Sequence, residues 1–227
     1  MGTVLKMIPI IESVTLLLLG YGSYEDIRSR EISDYVWIIL GGCGLVARVW
    51  DHQWKLMGIN LGIACGLSFI LVVSGLFGGA DIKALLSLSL LIPTYEGMIF
   101  PFFIVTVFNN LAMLRIGEIV AVFMYNMVKR NRYPGETAGW RKIVLYMTGF
   151  PMKKERLDYR FLPLQDTSGS IRLIPDIDTD IDRFKEEYDG DEVWATYGSP
   201  LIVYMTIGCI IAFFYGDILL HLIMVLI

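Results

Sequence analysis

The sequence predicts an all-α polytopic membrane protein with six transmembrane helices and a small β-containing cytoplasmic domain between helices five and six. Three observations point there. The chain of 227 residues is 55% hydrophobic, with mean hydropathy +0.58, where soluble domains average roughly 45–50% apolar. The excess is gathered into long runs of the kind a bilayer demands, about 20 residues each. Only one extended polar stretch, 129–198, interrupts them.

Taken in order, the first run is Val4 to Gly22, the second Tyr35 to Trp50 and the third Gly58 to Phe77. The first is too long for the apolar core of a secretory signal and lacks an Ala-x-Ala cleavage site, so it reads as a retained span. The fourth, Ile82 to Pro93, is short and closed by its proline. The fifth, Gly97 to Val128, exceeds what a bilayer requires, so one end is expected to protrude. The sixth, Pro200 to Ile227, has a proline at its first turn, where the missing N–H does no harm.

Basic residues favour cytoplasmic loops. Arg28, Arg30, Lys83, Lys129, Arg130 and Arg132 all follow odd-numbered spans, which places the N-terminus outside and the long loop in the cytoplasm. The division is then a five-helix region 1–128, a cytoplasmic domain 129–198 and a sixth helix 199–227. Within the polar stretch, Lys142 to Met147, Tyr159 to Leu164 and Ile171 to Ile174 read as short strands between Gly, Pro and Asp turns. Such a domain would be marginal alone.

Two aspartates stand at the ends of apolar runs, where a charge is costly without a purpose. Asp81 follows Gly78, Gly79 and Ala80 and precedes Lys83; the glycines suit close approach of another chain. A cap for the fourth span is the plainer role for Asp81. Asp26 sits among Glu25, Arg28, Arg30, Glu31 and Asp34, and alone would be an ordinary charged loop residue, with Glu25 as its competitor. The topology puts both aspartates at the cytoplasmic boundary. Two close carboxyls resist joint ionisation and share a proton, which equips one as base and the other as acid.

The Gly-Gly-Ala-Asp-Ile-Lys phrase at 78–83 resembles the Gly-x-Gly-Asp signature of membrane aspartyl peptidases. Asp26, Ile27, Arg28 and Ile32 resemble the other active-site segment of type IV prepilin peptidases, and the whole plan is similar to the archaeal preflagellin peptidases among them. The resemblance extends to 193–200, the entry into the last span. It implies Asp26 and Asp81 as the catalytic pair and Gly78, Gly79, Ala80 and Lys83 as the active-site loop. Ala80 replaces the motif's glycine, and Ser33 stands where a proline is usual. Bacterial relatives often add a Cys-x-x-Cys domain and a methyltransferase activity; this chain has neither the cysteines nor room for that domain, which favours a peptidase-only enzyme.

In the fifth span, Asn109, Asn110, Arg115 and Glu118 interrupt the apolar pattern. Arg115 and Glu118 share a face at i, i+3, either as a local ion pair or as a second layer orienting the aspartates. The acidic run 176–182 places Glu187 where a calcium loop needs its bidentate carboxylate, but Ile181 stands where that loop needs glycine. A solvated segment, or an acidic surface attracting basic tails, fits better. Cys43, Cys65 and Cys209 are isolated within apolar segments, so no metal or redox cofactor is expected. A net charge of −4 argues against nucleic acid.

The expected activity is removal of a short basic leader from a preflagellin or pilin-like precursor at the cytoplasmic face of the plasma membrane, with precursor and lipid bilayer as partners. Two rivals differ in class. A signal-peptide-peptidase-like protease would bring more spans and a Tyr-Asp motif within a helix. A proton-coupled carrier would be expected to show internal repetition, which is not evident here.

Overall fold

The computed structural model describes residues 2–73, 78–95, 100–135, 139–176 and 179–227. It is mostly helical, with one three-stranded sheet, and divides into two units: residues 1–114 with 200–227, and residues 115–199.

The first unit holds α1 (Gly2–Arg28), α2 (Asp34–Asp51), α3 (Trp54–Val73), α4 (Gly79–Leu91), the start of α5 (Phe103–Lys129), α8 (Leu201–Phe214) and α9 (Ile218–Leu226). No breaker interrupts the chain after Gly22, so α1 continues to Arg28 instead of ending with its apolar run. Asp26 is therefore a helical residue, not a loop residue. The helix stops where Arg30 adopts a left-handed conformation, φ 61°. Helix α2 starts at once, its preceding Ser33 N–H donated to Glu25 Oε2 at 3.1 Å.

Small residues set the packing of α2 on α4. A Cβ at Gly44 would lie 2.6 Å from the backbone of Leu90 and Leu91, so only glycine admits this approach. One helical turn or two away, Ser87 Oγ donates to Trp37 O at 3.0 Å. From α3, the buried Asn60 amide donates to Ser89 O at 2.9 Å and Ile92 O at 3.2 Å, satisfying carbonyls that the end of α4 leaves without partners. Pro93 follows, and α4 ends as expected at the residues before it. The apolar core runs through Leu19, Leu40, Leu85, Leu88, Ile104, Val107, Met205 and Cys209.

One expectation about the spans needs correction. The sixth is not one continuous helix: α8 and α9 meet at an angle of 59°. Gly216 there takes φ 82°, and Asp217, 1% exposed, caps α9 by accepting the Leu220 N–H at 2.9 Å. Asn109 donates to Asp217 at 2.8 Å, while Asn110 donates to Gly216 O and accepts the Ile218 N–H. The polar interruption at 109–110 thus serves the break in the last apolar run. The fifth helix is described from Phe103, with Gly97 outside the described residues. Among the described residues, α3 and α5 are each long and apolar enough to cross a membrane, and α8 with α9 makes a third if the bent pair is one span.

The second unit contains the rest of α5, α6 (Gly139–Thr148), β1 (Phe150–Lys153), β2 (Phe161–Pro163), α7 (Ile181–Glu187) and β3 (Glu192–Tyr197). The sheet order is β1-β3-β2, both pairs antiparallel, with Phe150 opposite Ala195 and Phe161 opposite Tyr197. Trp194 anchors it, its indole N–H donated to Leu145 O at 3.2 Å. Lys142 to Met147, expected as a strand, lies in α6, where Leu145 is buried and Ile143 exposed. Tyr159 to Leu164 contains β2, whereas Ile171 to Ile174 contributes only a bridge from Ile171 to Gln165. The central strand β3 fell in the segment read as the approach to the last span. Part of the acidic run, Ile177 and Asp178, lies outside the described residues; of the rest, Asp180 caps α7 by accepting the Asp182 and Arg183 N–H groups.

Candidate active site

Asp26 and Asp81 are both nearly buried, 8% and 9% exposed, although each is ionisable and each lies near a helix terminus. Asp26, in the last turn of α1, is held from two directions. Its Oδ2 accepts the Ile202 N–H at 3.2 Å, in the first turn of α8, where helical N–H groups have no partner of their own. Its Oδ1 lies 3.6 Å from Arg30 Nη1. Helix α8 lies along α1 here: Ser23 Oγ and Thr206 Oγ1 are 2.8 Å apart, and a Cβ at Gly22 would already touch Trp37 and Ile202.

Asp81 occupies the third position of α4 and folds back so that Oδ2 accepts the Gly78 N–H at 2.9 Å. Gly78, not Asp81, is the residue preceding the helix, so the expected cap is realised from inside the first turn. The Asp81 carboxyl is within Coulombic reach of both Asp26 and Arg30. The packing that brings this about is indirect. α1 lies against α2 and α8, and α4 lies against α2, α3 and α8, so α8 touches the helices of both aspartates. Among the described residues no hydrogen bond joins the two carboxyls.

Gly78 and Gly79 are exposed, and among the described residues a Cβ at Gly79 would meet nothing within 4 Å. Neither has a left-handed backbone. Crowding and turn geometry inside the chain therefore do not require glycine at 79, and bare backbone faces open space beside Asp81. Ala80 opens the same turn. Lys83 points elsewhere, pairing with Asp34 at 2.5 Å in a largely exposed contact. Beside that pair, Trp37, Ile38, Leu86 and Ser87 line a groove of about 270 Å³ between α2 and α4.

Glu25, the expected competitor of Asp26, faces away from it. It accepts the Tyr21 hydroxyl at 2.6 Å and the Ser33 N–H, bracing the turn between α1 and α2. Arg115 and Glu118 pair with one another in the second unit, where Glu118 Oε1 also accepts the Ser199 hydroxyl at 2.6 Å. Two partners of the aspartates escaped the sequence reading. Arg30 stands four residues after Asp26, the spacing of a helical ion pair, and so does more than bias orientation. The Ile202 N–H leaves no side-chain signature; only Pro200 announces a helix start there. Among the described residues no group of three or more His, Cys, Asp or Glu side chains could hold a metal ion.

Residues 13–117 match the model of the type IV leader peptidase family, and residues 141–218 match that of the archaeal peptidase A24 C-terminus, type II. The first match contains both aspartates, Arg30 and the glycine turn. A preflagellin peptidase of Methanococcus voltae is 27% identical over 235 residues, covering 93% of this chain and 97% of the relative. Those of Methanococcus maripaludis strain C6 and Methanocaldococcus jannaschii are each 26% identical, covering 86% and 92% of this chain. The two family matches succeed one another along the chain and the relatives align nearly end to end, so the chain is similar to type IV leader peptidases over most of its length.

Proposed function

We propose that this protein is a membrane aspartic endopeptidase that removes the leader of a preflagellin or pilin-like precursor, with Asp26 and Asp81 as its catalytic pair. The observation that carries the reading is the pair itself: two buried carboxyls from distant parts of the sequence, within electrostatic reach, beside an open glycine turn. The relatives' name supplies the substrate class.

In this mechanism one carboxyl, ionised, takes a proton from a water as that water attacks the scissile carbonyl carbon. The other, protonated, donates a hydrogen bond to the carbonyl oxygen and afterwards a proton to the leaving amine. The two titrate as a unit. Bare backbone at Gly78 and Gly79 leaves room for an extended substrate segment against Asp81. Each carboxyl rests on its own backbone N–H, Ile202 for Asp26 and Gly78 for Asp81. A substrate-driven closure that exchanges these contacts for water and substrate completes the site.

Six spans with the N-terminus outside put this end of α1 and α4 at the cytoplasmic face, with the basic residues after spans one, three and five on the same side. The precursor's apolar helix would lie in the bilayer and its short basic leader would reach the site.

The test is cleavage of a purified precursor by the protein in liposomes, with the new terminus mapped by mass spectrometry. A single cut at the boundary of leader and apolar helix is expected, unaffected by chelators and by reagents that acylate serine or alkylate cysteine. A cut within the apolar helix would favour a signal-peptide-peptidase-like enzyme, and loss of activity on chelation would overturn the metal-free mechanism.

A further inference from the structure

We propose that the start of α6 is a membrane-surface anchor that inserts Trp140 and Ile143 among lipids and sets a cluster of five basic side chains against anionic headgroups. The region around it is unlike the rest of an acidic chain. Lys129, Arg130, Arg132, Arg141 and Lys142 are all exposed, and among the described residues no acidic side chain pairs with any of them. Glu136 is the one acidic residue between 129 and 148, within a protein whose net charge is −4.

Large apolar groups are exposed in the same place. Trp140 is 59% exposed and Ile143 58%, one helical turn apart, so they share a side of α6. A lone surface leucine would need no account, but an exposed tryptophan and isoleucine on a short helix flanked by cations have the composition of a helix lying in the interface. The Arg141 guanidinium stands 5.4 Å from the Trp140 ring centre, over its face. Apolar body and cation are thus presented together, as headgroup-level tryptophans are.

Position supplies the second argument. The neighbour of α6 within its own unit is the end of α5, a helix long and apolar enough to cross a membrane and closing on Lys129. The two are latched tightly. The buried Asn126 amide, near the end of α5, donates to Tyr146 O at 2.8 Å and Gly149 O at 2.7 Å. Tyr146 Oη in turn donates to Asn131 O at 2.9 Å and accepts the Tyr133 N–H at 3.1 Å. These bonds leave α6 little freedom to move away from the point where α5 leaves the bilayer. Met124, Met127 and Val128 on α5 are exposed next to that point, extending the apolar surface. An anionic leaflet attracts basic side chains within about a Debye length, roughly 8 Å at physiological salt, so the cluster is in range only if α6 is held there.

The experiment is depth measurement by a nitroxide at Ile143→Cys, in a background with Cys43, Cys65 and Cys209 replaced by alanine, with precursor cleavage as the check on folding. A label at Glu186→Cys, exposed on α7, is the aqueous reference. In nanodiscs with roughly a quarter phosphatidylglycerol, the label at 143 should be several-fold more accessible to oxygen, relative to a water-soluble nickel chelate, than the label at 186. This ratio should fall in pure phosphatidylcholine, and also when Arg141→Glu and Lys142→Glu are combined. Equal chelate access at 143 and 186 would overturn the anchor. So would low access to both reagents at 143, which would mean that protein, not lipid, covers this surface. Immersion of the same depth in both lipids would overturn the anionic preference.

Discussion

Asp26 and Asp81 differ from the other charged residues near them in what holds them. Glu25 is tied to a turn, Lys83 to Asp34 at the surface, and Arg115 to Glu118, whereas the two aspartates rest on backbone N–H groups at helix termini and see one another electrostatically. Glu25→Gln should therefore keep cleavage within a few-fold of wild type, with a stability loss of about 1 kcal/mol from the weakened turn, measured by initial rates and thermal unfolding. Arg30→Gln, which removes the cation beside Asp26, should lower kcat by at least ~10-fold with little change in KM, the pattern of a lost interaction specific to the transition state. At Gly79 the absence of any neighbour for a Cβ among the described residues separates function from folding. Gly79→Val should leave unfolding within ~1 kcal/mol yet raise KM several-fold if substrate backbone passes there. At this scale the sequence showed which carboxyls were costly and which glycines were unusual. It could not show Ile202 N–H as a partner, because a backbone donor is the same in every residue and only its place at a helix start makes it available.

Helix α4 is short, and its stability depends on what closes around it. Asn60 and Arg48 bind its last carbonyls, Arg48 reaching Leu91 O at 3.2 Å, and Gly44 lets α2 approach to backbone contact. Gly44→Leu should displace α2 from α4 and destabilise the first unit by roughly 1–3 kcal/mol or more, seen as a lowered unfolding temperature in detergent. Cleavage should fall with it, since α4 carries Asp81. Asp217→Ala should cost about 1–2 kcal/mol by removing the cap of α9 and a partner of Asn109, without the loss of activity that accompanies displacement of α4. The elements most legible in the sequence were those closed by local chemistry, such as α4 ending before Pro93. The break at Gly216 was hidden because α8 and α9 are equally apolar, and the residues that stabilise it, Asn109 and Asn110, lie a hundred positions away on α5. The strand order was hidden for a similar reason: α6 and a strand are hard to tell apart in a short run such as Lys142 to Met147, and burial of Leu145 under Trp194 decides the outcome.

Across the whole chain, the proposed site draws on elements far apart in sequence. The last apolar run supplies a backbone donor to Asp26 of the proposed pair, and that donor, Ile202, lies outside the family match at 13–117. Composition and apolar runs made the membrane class legible, and the two aspartate motifs pointed to the proposed pair. The bridge made by α8 could not be read, because helix neighbours in a bundle are chosen by packing, for which a single sequence has no direct signal. The most direct test of the proposed dyad is precursor cleavage by wild type, Asp26→Asn, Asp81→Asn and the double variant, each reconstituted in liposomes with matched folding. Because two groups that act as one unit are lost together, both single variants should fall to the level of the double variant, with no detectable leader removal. Leader removal by either single variant at a rate near wild type would contradict the account.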